Sequence, residues 1–224
     1  MIRLTDIDKY YVDGETEKVA LRHINLTFEI GEYICVQGNS GSGKTTLFKI
    51  LGLLEEPTTG DYHFRDKNFS NLTNKQLLSN RKGLIGLSLE QDMLIEDLDI
   101  GENIALPLYY MNISKNERSK MVNTILENFN LTHKKKLLPK QLTQLQRQVV
   151  SIARATVSNP QLLLIDEPTS RLNSSESEEI MTMIEKINRQ NTTIIVFTQS
   201  VSIAQKADRC IYLSDGHLVN APTL

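Results

Sequence analysis

At 224 residues the chain is long enough for one large domain, or one domain with a sizeable insertion. Its formal net charge of −2 supplies no broad basic field, which argues against general nucleic-acid binding. Only two cysteines occur, there is no signal-peptide pattern, and no apolar run approaches the roughly 18 residues of a spanning helix. This composition predicts an intracellular globular protein that does not cross a membrane by itself.

Residues 2–30 hold β-rich runs, and the alternation over 24–30 suits a half-exposed sheet. The apolar run Tyr33-Ile34-Cys35-Val36 reads as a buried strand, and residues 47–51 read as a helix. Between them stands Gly38-Asn39-Ser40-Gly41-Ser42-Gly43-Lys44-Thr45-Thr46. Glycines let the backbone curl so that successive N–H groups point at an anion, and the following helix adds its positive end. Lys44 can reach outer phosphates, and the Thr45 hydroxyl can complete the shell of a Mg²⁺ ion. Strand, G-x-x-x-x-G-K-T loop and helix together predict a P-loop that binds a nucleoside triphosphate.

From about 75 to 158 the pattern becomes mainly helical, with good helix formers at 116–129 and 143–157. The basic run Lys134-Lys135-Lys136 reads as a solvated turn. Four short apolar strands follow at 162–166, 193–198, 209–213 and 217–219, alternating with helices or turns. Cys35 and Cys210 lie inside strand-like runs and read as reduced core residues. The alternation predicts an α/β fold with a mostly parallel sheet, its core formed by 1–84 and 161–224 around a helical part at about 85–160.

Leu162-Leu163-Leu164-Ile165 would carry Asp166 and Glu167 to the C-terminal end of a buried strand, where open α/β sheets place ligands. Asp166 suits the Mg²⁺ shell, and Glu167 suits a base that orients or deprotonates an attacking water. The reaction class implied is phosphoanhydride hydrolysis.

Asp166-Glu167-Pro168-Thr169, the P-loop and their spacing resemble the ATP-binding subunit of an ABC transporter, over residues 2 to 220. Residues 51–60, 101–108 and 152–155 resemble the lipoprotein-release and macrolide-efflux branch, which also includes the cell-division ATPase. The resemblance implies an N-terminal antiparallel β part, ATP and Mg²⁺ as ligands, and a separately encoded membrane-spanning permease as partner. It implies a peripheral location on the cytoplasmic face of the membrane and a homodimer, with a heterodimer of two ABC ATPases as the alternative. Residues 101–111 and the loop near Glu90 would meet the permease. Tyr11 matches the aromatic residue that stacks on adenine, with Tyr10 as the alternative.

Several positions depart from the family. Its signature Leu-Ser-Gly-Gly-Gln, which faces the γ-phosphate on the opposite subunit, matches Leu142-Thr143-Gln144-Leu145-Gln146 here. Thr143 keeps the hydroxyl and forms a capping box with Gln146, but both glycines are gone, so Gln144 and Leu145 should crowd the phosphate contact. Gln199 stands at the switch histidine, where it can donate but does not titrate. The Mg²⁺-sensing glutamine aligns with Glu90, or with Gln91 after a one-residue shift. Leu172-Asn173 replaces Leu-Asp. Two readings follow: a working ATPase with slow turnover, or an ATP-binding switch with little hydrolysis. The ABC segment order argues against a soluble P-loop kinase.

Overall fold

The computed structural model describes residues 1–14, 16–70, 72–90 and 93–220. In chain order its elements are β1 (Ile2–Asp13), β2 (Thr16–Phe28), β3 (Tyr33–Gln37), α1 (Lys44–Leu51), β4 (Thr59–Phe64), β5 (Lys67–Asn68), α2 (Asn74–Arg81) and β6 (Ile85–Ser88). There follow α3 (Ile100–Tyr110), α4 (Lys115–Asn128), α5 (Gln144–Thr156), β7 (Leu162–Asp166), α6 (Ser174–Asn188), β8 (Thr193–Thr198), α7 (Val201–Ala204), β9 (Arg209–Ser214) and β10 (His217–Val219). The chain divides into two compact units, Met1–Arg81 with Thr193–Leu224, and Lys82–Thr192.

In the first unit an antiparallel sheet runs in the order β2-β1-β4-β5. Apolar side chains of this sheet, among them Leu4, Ile7, Leu21, Ile24, Phe28 and Phe64, are buried. A second group of strands runs in the order β10-β9-β3-β8. There β3 pairs in parallel with both β8 and β9, while β9 and β10 form an antiparallel hairpin. Residues 33–36 and 194–197 are apolar at every position and all buried. Continuous burial of this kind marks strands covered on both faces. Phe48 of α1 packs edge-to-face on Phe197 of β8, with ring centroids 5.3 Å apart, which fixes the helix that follows the glycine-rich loop. Cys35 and Cys210 are register partners on neighbouring strands, and they are not joined by a disulfide.

In the second unit β6 and β7 pair in parallel, from Ile85↔Leu162 to Ser88↔Ile165. Strand β6 falls in a stretch that the sequence reading took as mainly helical. It is four residues long, and Gly86 allows α5 to press on it: a Cβ there would collide with the Ala155 carbonyl oxygen. The four α-helices of this unit each start on a side-chain cap, Asp99 for α3, Ser114 for α4, Thr143 for α5 and Asn173 for α6. The expected architecture holds: an antiparallel N-terminal sheet, core strands that pair mostly in parallel, and helices around them. Among the described residues no helix is long and apolar enough to cross a membrane.

Candidate functional site

Strand β3 delivers the chain into the loop at Gly38, and α1 begins at Lys44. Helix α1 is capped by Gly43 in the left-handed region, φ 105°, with no side-chain hydrogen bond to its first turn. A Cβ on Gly43 would sit 2.7 Å from the Ala20 carbonyl oxygen, so only glycine fits both the turn and the space. The N-terminal amides of α1 are therefore not taken by a capping side chain, and the first turn holds no acidic residue to compete with an anion. The hairpin turn between β9 and β10 supports the loop, with the Gly216 amide donating to the Ser42 carbonyl at 2.9 Å.

Lys44 is only 7% exposed, and its Nζ donates to the carbonyl oxygens of Gly38 (2.5 Å) and Asn39 (2.9 Å). The loop thus wraps a desolvated ammonium, a strong partner for phosphate oxygens. The Ser42 hydroxyl is buried with no hydrogen-bond partner among the described residues, a polar atom suited to an oxyanion. Asn39, Ser40, Gly41 and Thr45 are exposed, while Thr46 is buried behind them. This unit therefore brings residues 38–46 together as a cradle whose chemistry fits a phosphate chain.

Tyr11 belongs to the same unit. Its Oη donates to Glu55 Oε2 at 2.6 Å. Burial, then the bond to Glu55, raises its pKa. Tyr10 makes a backbone contact instead, its amide donating to Thr58 Oγ1 at 3.1 Å. Gln199 is exposed and directly follows β8, at the C-terminal end of that strand. Glu55 and Lys49, which bind Tyr11 to α1, escaped sequence reasoning, because 44 residues separate Glu55 from Tyr11 and nothing in segment 51–60 points to that partner.

In the second unit, β7 buries Leu162–Ile165 and leaves Asp166 half-buried at its end. Glu167 has φ 42°, a backbone conformation that non-glycine residues rarely adopt. The chain then turns, with the Ser170 amide donating to the Glu167 carbonyl at 3.3 Å. Asn173 accepts from the Glu176 amide at 3.0 Å as the cap of α6, so asparagine keeps the capping work open to the family's aspartate. Thr143 accepts from the Gln146 amide at 3.3 Å, and Gln146 answers the Thr143 amide at 3.2 Å, the capping box expected from the sequence. Gln144 and Leu145 form the first turn of α5 and are half-buried.

Glu90 is exposed just after β6, and Gln91 lies outside the described residues. The segment that follows is tied to α5 by Arg147 on Glu96 (2.7 Å) and Arg154 on the Met93 carbonyl (2.9 Å). Asn103, fully buried in α3, accepts from the Ile95 amide at 2.8 Å. Its amide donates to the carbonyls of Ile95, Leu98 and Asp99. Asn103→Ala would leave these buried groups unpaired, and urea unfolding should show about 2–3 kcal/mol lost. A loss under roughly 0.5 kcal/mol would mean that the loop holds itself.

A glycine-rich loop feeding a glycine-capped helix, set among mostly parallel strands, defines a P-loop nucleotide-binding fold. The ABC transporter family model matches residues 21–170. The chain belongs to the ABC transporter family, as an ATP-binding protein. It is 36% identical to the uncharacterized ABC transporter ATP-binding protein YvrO of Bacillus subtilis, over 98% of this chain and 96% of that protein. It is 34% identical to the macrolide export ATP-binding/permease protein MacB of Hyphomonas neptunium, over 98% of this chain but 34% of that longer one. Among solved structures it is similar to the ATP-binding cassette MJ0796, a dimer in a post-hydrolysis state bound to ADP and Pi. The TM-score is 0.90 at 35% identity, covering 98% and 97% of the two chains.

Proposed function

We propose that this chain binds MgATP and hydrolyses it slowly, as one of two ATP-binding subunits that energise a membrane-spanning permease from the cytoplasmic face. The observation that carries the reading is the cradle of residues 38–46, with buried Lys44 and the uncapped amides of α1. Lys44 and the loop amides take the phosphates, and Thr143 serves the nucleotide held by the opposite subunit. Thr45 and Asp166, with Glu90 or Gln91, would hold Mg²⁺, which supplies charge neutralisation on the phosphates. Among the described residues no group of three or more His, Cys, Asp or Glu could hold a metal. That fits an ion carried in on the triphosphate rather than by a protein cage. Glu167 is the base for the attacking water, and Gln199 donates toward the γ-phosphate. Tyr11 stacks on adenine.

Met93, Ile95 and Tyr110 in the second unit are exposed apolar side chains, near Glu90 and at the end of α3, and they suit a partner surface. The similarity to the MJ0796 dimer supports pairing of two copies, and the MacB relatives support a permease as the other partner. The second reading, a switch with little hydrolysis, draws on Gln144 and Leu145 in place of the signature glycines.

Titrating a fluorescent ATP analogue tests the assignment at its base. Lys44→Ala should weaken binding about 10- to 100-fold, because it removes charge-assisted bonds worth roughly 1.5–3 kcal/mol. Equal affinities would sink it.

A further inference from the structure

The carboxylate of Glu55 joins two elements of the first unit, β1 and α1. It lies four residues beyond α1 and accepts from Tyr11 Oη at 2.6 Å through one oxygen. The other oxygen accepts from Lys49 Nζ of α1, also at 2.6 Å. Lys9 of β1 lies 3.9 Å from the first of these oxygens, donates to the Glu56 carbonyl at 2.7 Å, and has its Nζ 5.3 Å from the Tyr11 ring centroid.

The two bonds to the Glu55 carboxylate, each 2.6 Å, sit at the charge-assisted and hydroxyl–carboxylate end of the range, where hydrogen bonds are short and directional. Burial alone would raise the Glu55 pKa, but the bonds from Lys49 and Tyr11 and the charges of Lys49 and Lys9 hold it below its ordinary value. Glu55 is therefore a carboxylate at neutral pH, and acceptor-only. A phenol whose hydroxyl meets such an acceptor has the far end of its ring anchored, and because a phenol O–H prefers to lie in the ring plane, the bond also favours one orientation of that plane. Because Lys49 lies on the helix that opens with the phosphate cradle, the ring is fixed relative to that cradle.

We propose that Glu55, braced by Lys49, is a positioning residue that orients the Tyr11 ring against the nucleobase. It thereby sets affinity for the base portion of the nucleotide rather than for the phosphates. The proposal rests on the reading of Tyr11 as the stacking residue. Stacking pays only when the ring plane is parallel to the base at contact distance, so a ring free to turn gives up part of the attraction. Phenylalanine stacks as well as tyrosine does, so the hydroxyl would be dispensable if the ring alone mattered.

Calorimetric titration of the full chain with MgATP, and with Mg-tripolyphosphate as a probe lacking a base, separates the possibilities. Tyr11→Phe and Glu55→Gln should each raise the Kd for MgATP about 3- to 10-fold, the worth of one hydrogen bond. Each should leave tripolyphosphate binding unchanged, and the double variant should be no worse than the single ones. Tyr11→Ala should cost at least as much as either. Unchanged MgATP affinity in Tyr11→Phe, with a loss in Tyr11→Ala, would overturn the positioning role and keep the stacking role. Unchanged affinity in Tyr11→Ala would overturn the stacking assignment itself. Parallel losses for ATP and tripolyphosphate would show that Glu55 acts by holding the loop, and would also overturn the proposal. Tyr11→Phe deletes a single atom, so it tests the idea even if the Glu55 variant folds poorly.

Discussion

Glu167→Gln should abolish steady-state phosphate release while leaving MgATP bound. Glutamine keeps the size of the side chain and can still orient a water, but it cannot accept a proton at neutral pH. Positioned general bases typically contribute about 10²–10⁴ in rate, so turnover should fall by at least about 10². The left-handed backbone at Glu167, φ 42°, supports a side chain whose direction matters, since such a conformation costs about 1–3 kcal/mol and persists where the surroundings impose it. The Ser170 amide on the Glu167 carbonyl is one local constraint that imposes it here. Glu167→Gln does not relieve that constraint, so the variant isolates the proton from the geometry. Phosphate release and nucleotide binding measured on one preparation give the answer. Unchanged turnover would mean that the water is activated elsewhere, or that the activity belongs to a contaminant.

What the sequence made legible follows from burial. Strands β7 and β8 fall where the sequence places them because each carries four consecutive buried apolar residues, Leu162–Ile165 and Ile194–Phe197, as a strand covered on both faces requires. The glycine-rich loop was readable because its composition is dictated by backbone geometry, as Gly43 shows. The cap of α5 was readable from Thr143 and Gln146 alone, being a local bond. Strand β6 was missed because four residues, one of them glycine, give no period, and its place is set by α5. Strand β4, Thr-Gly-Asp-Tyr-His-Phe, is half polar and owes its form to pairing with β1, a partner some fifty residues away. Helix α6 was left among helices or turns, although Asn173 with Glu176 carried the capping signal. The Tyr11–Glu55–Lys49 contact had no signal at all, since it joins a strand to the segment after a helix.

Gln144→Gly with Leu145→Gly should raise turnover in the otherwise native chain, and should strengthen ATP-driven self-association in the Glu167→Gln background. Donors aimed at a γ-phosphate act on charge that develops in the transition state, and losing one typically costs about 10²–10³ in rate. Side chains at 144 and 145 stand in the first turn of α5, where amides would otherwise be open to an anion. Removing them also has a cost, because glycine in a helix is worth roughly 0.8–1 kcal/mol less than alanine. The Thr143–Gln146 capping box stays in place to offset part of it. The gain should therefore fall short of the full donor value, nearer tenfold than a thousandfold. Adding Gln199→His should increase it further, since imidazole titrates near neutrality and glutamine does not. Sedimentation with and without ATP reads association, and phosphate release reads turnover. A native chain that already dimerises tightly and hydrolyses briskly would refute slow turnover. If only a mixed pair with a second ABC subunit carrying intact glycines were active, the working unit would be a heterodimer, in which one site takes its signature from that partner and the other from Thr143.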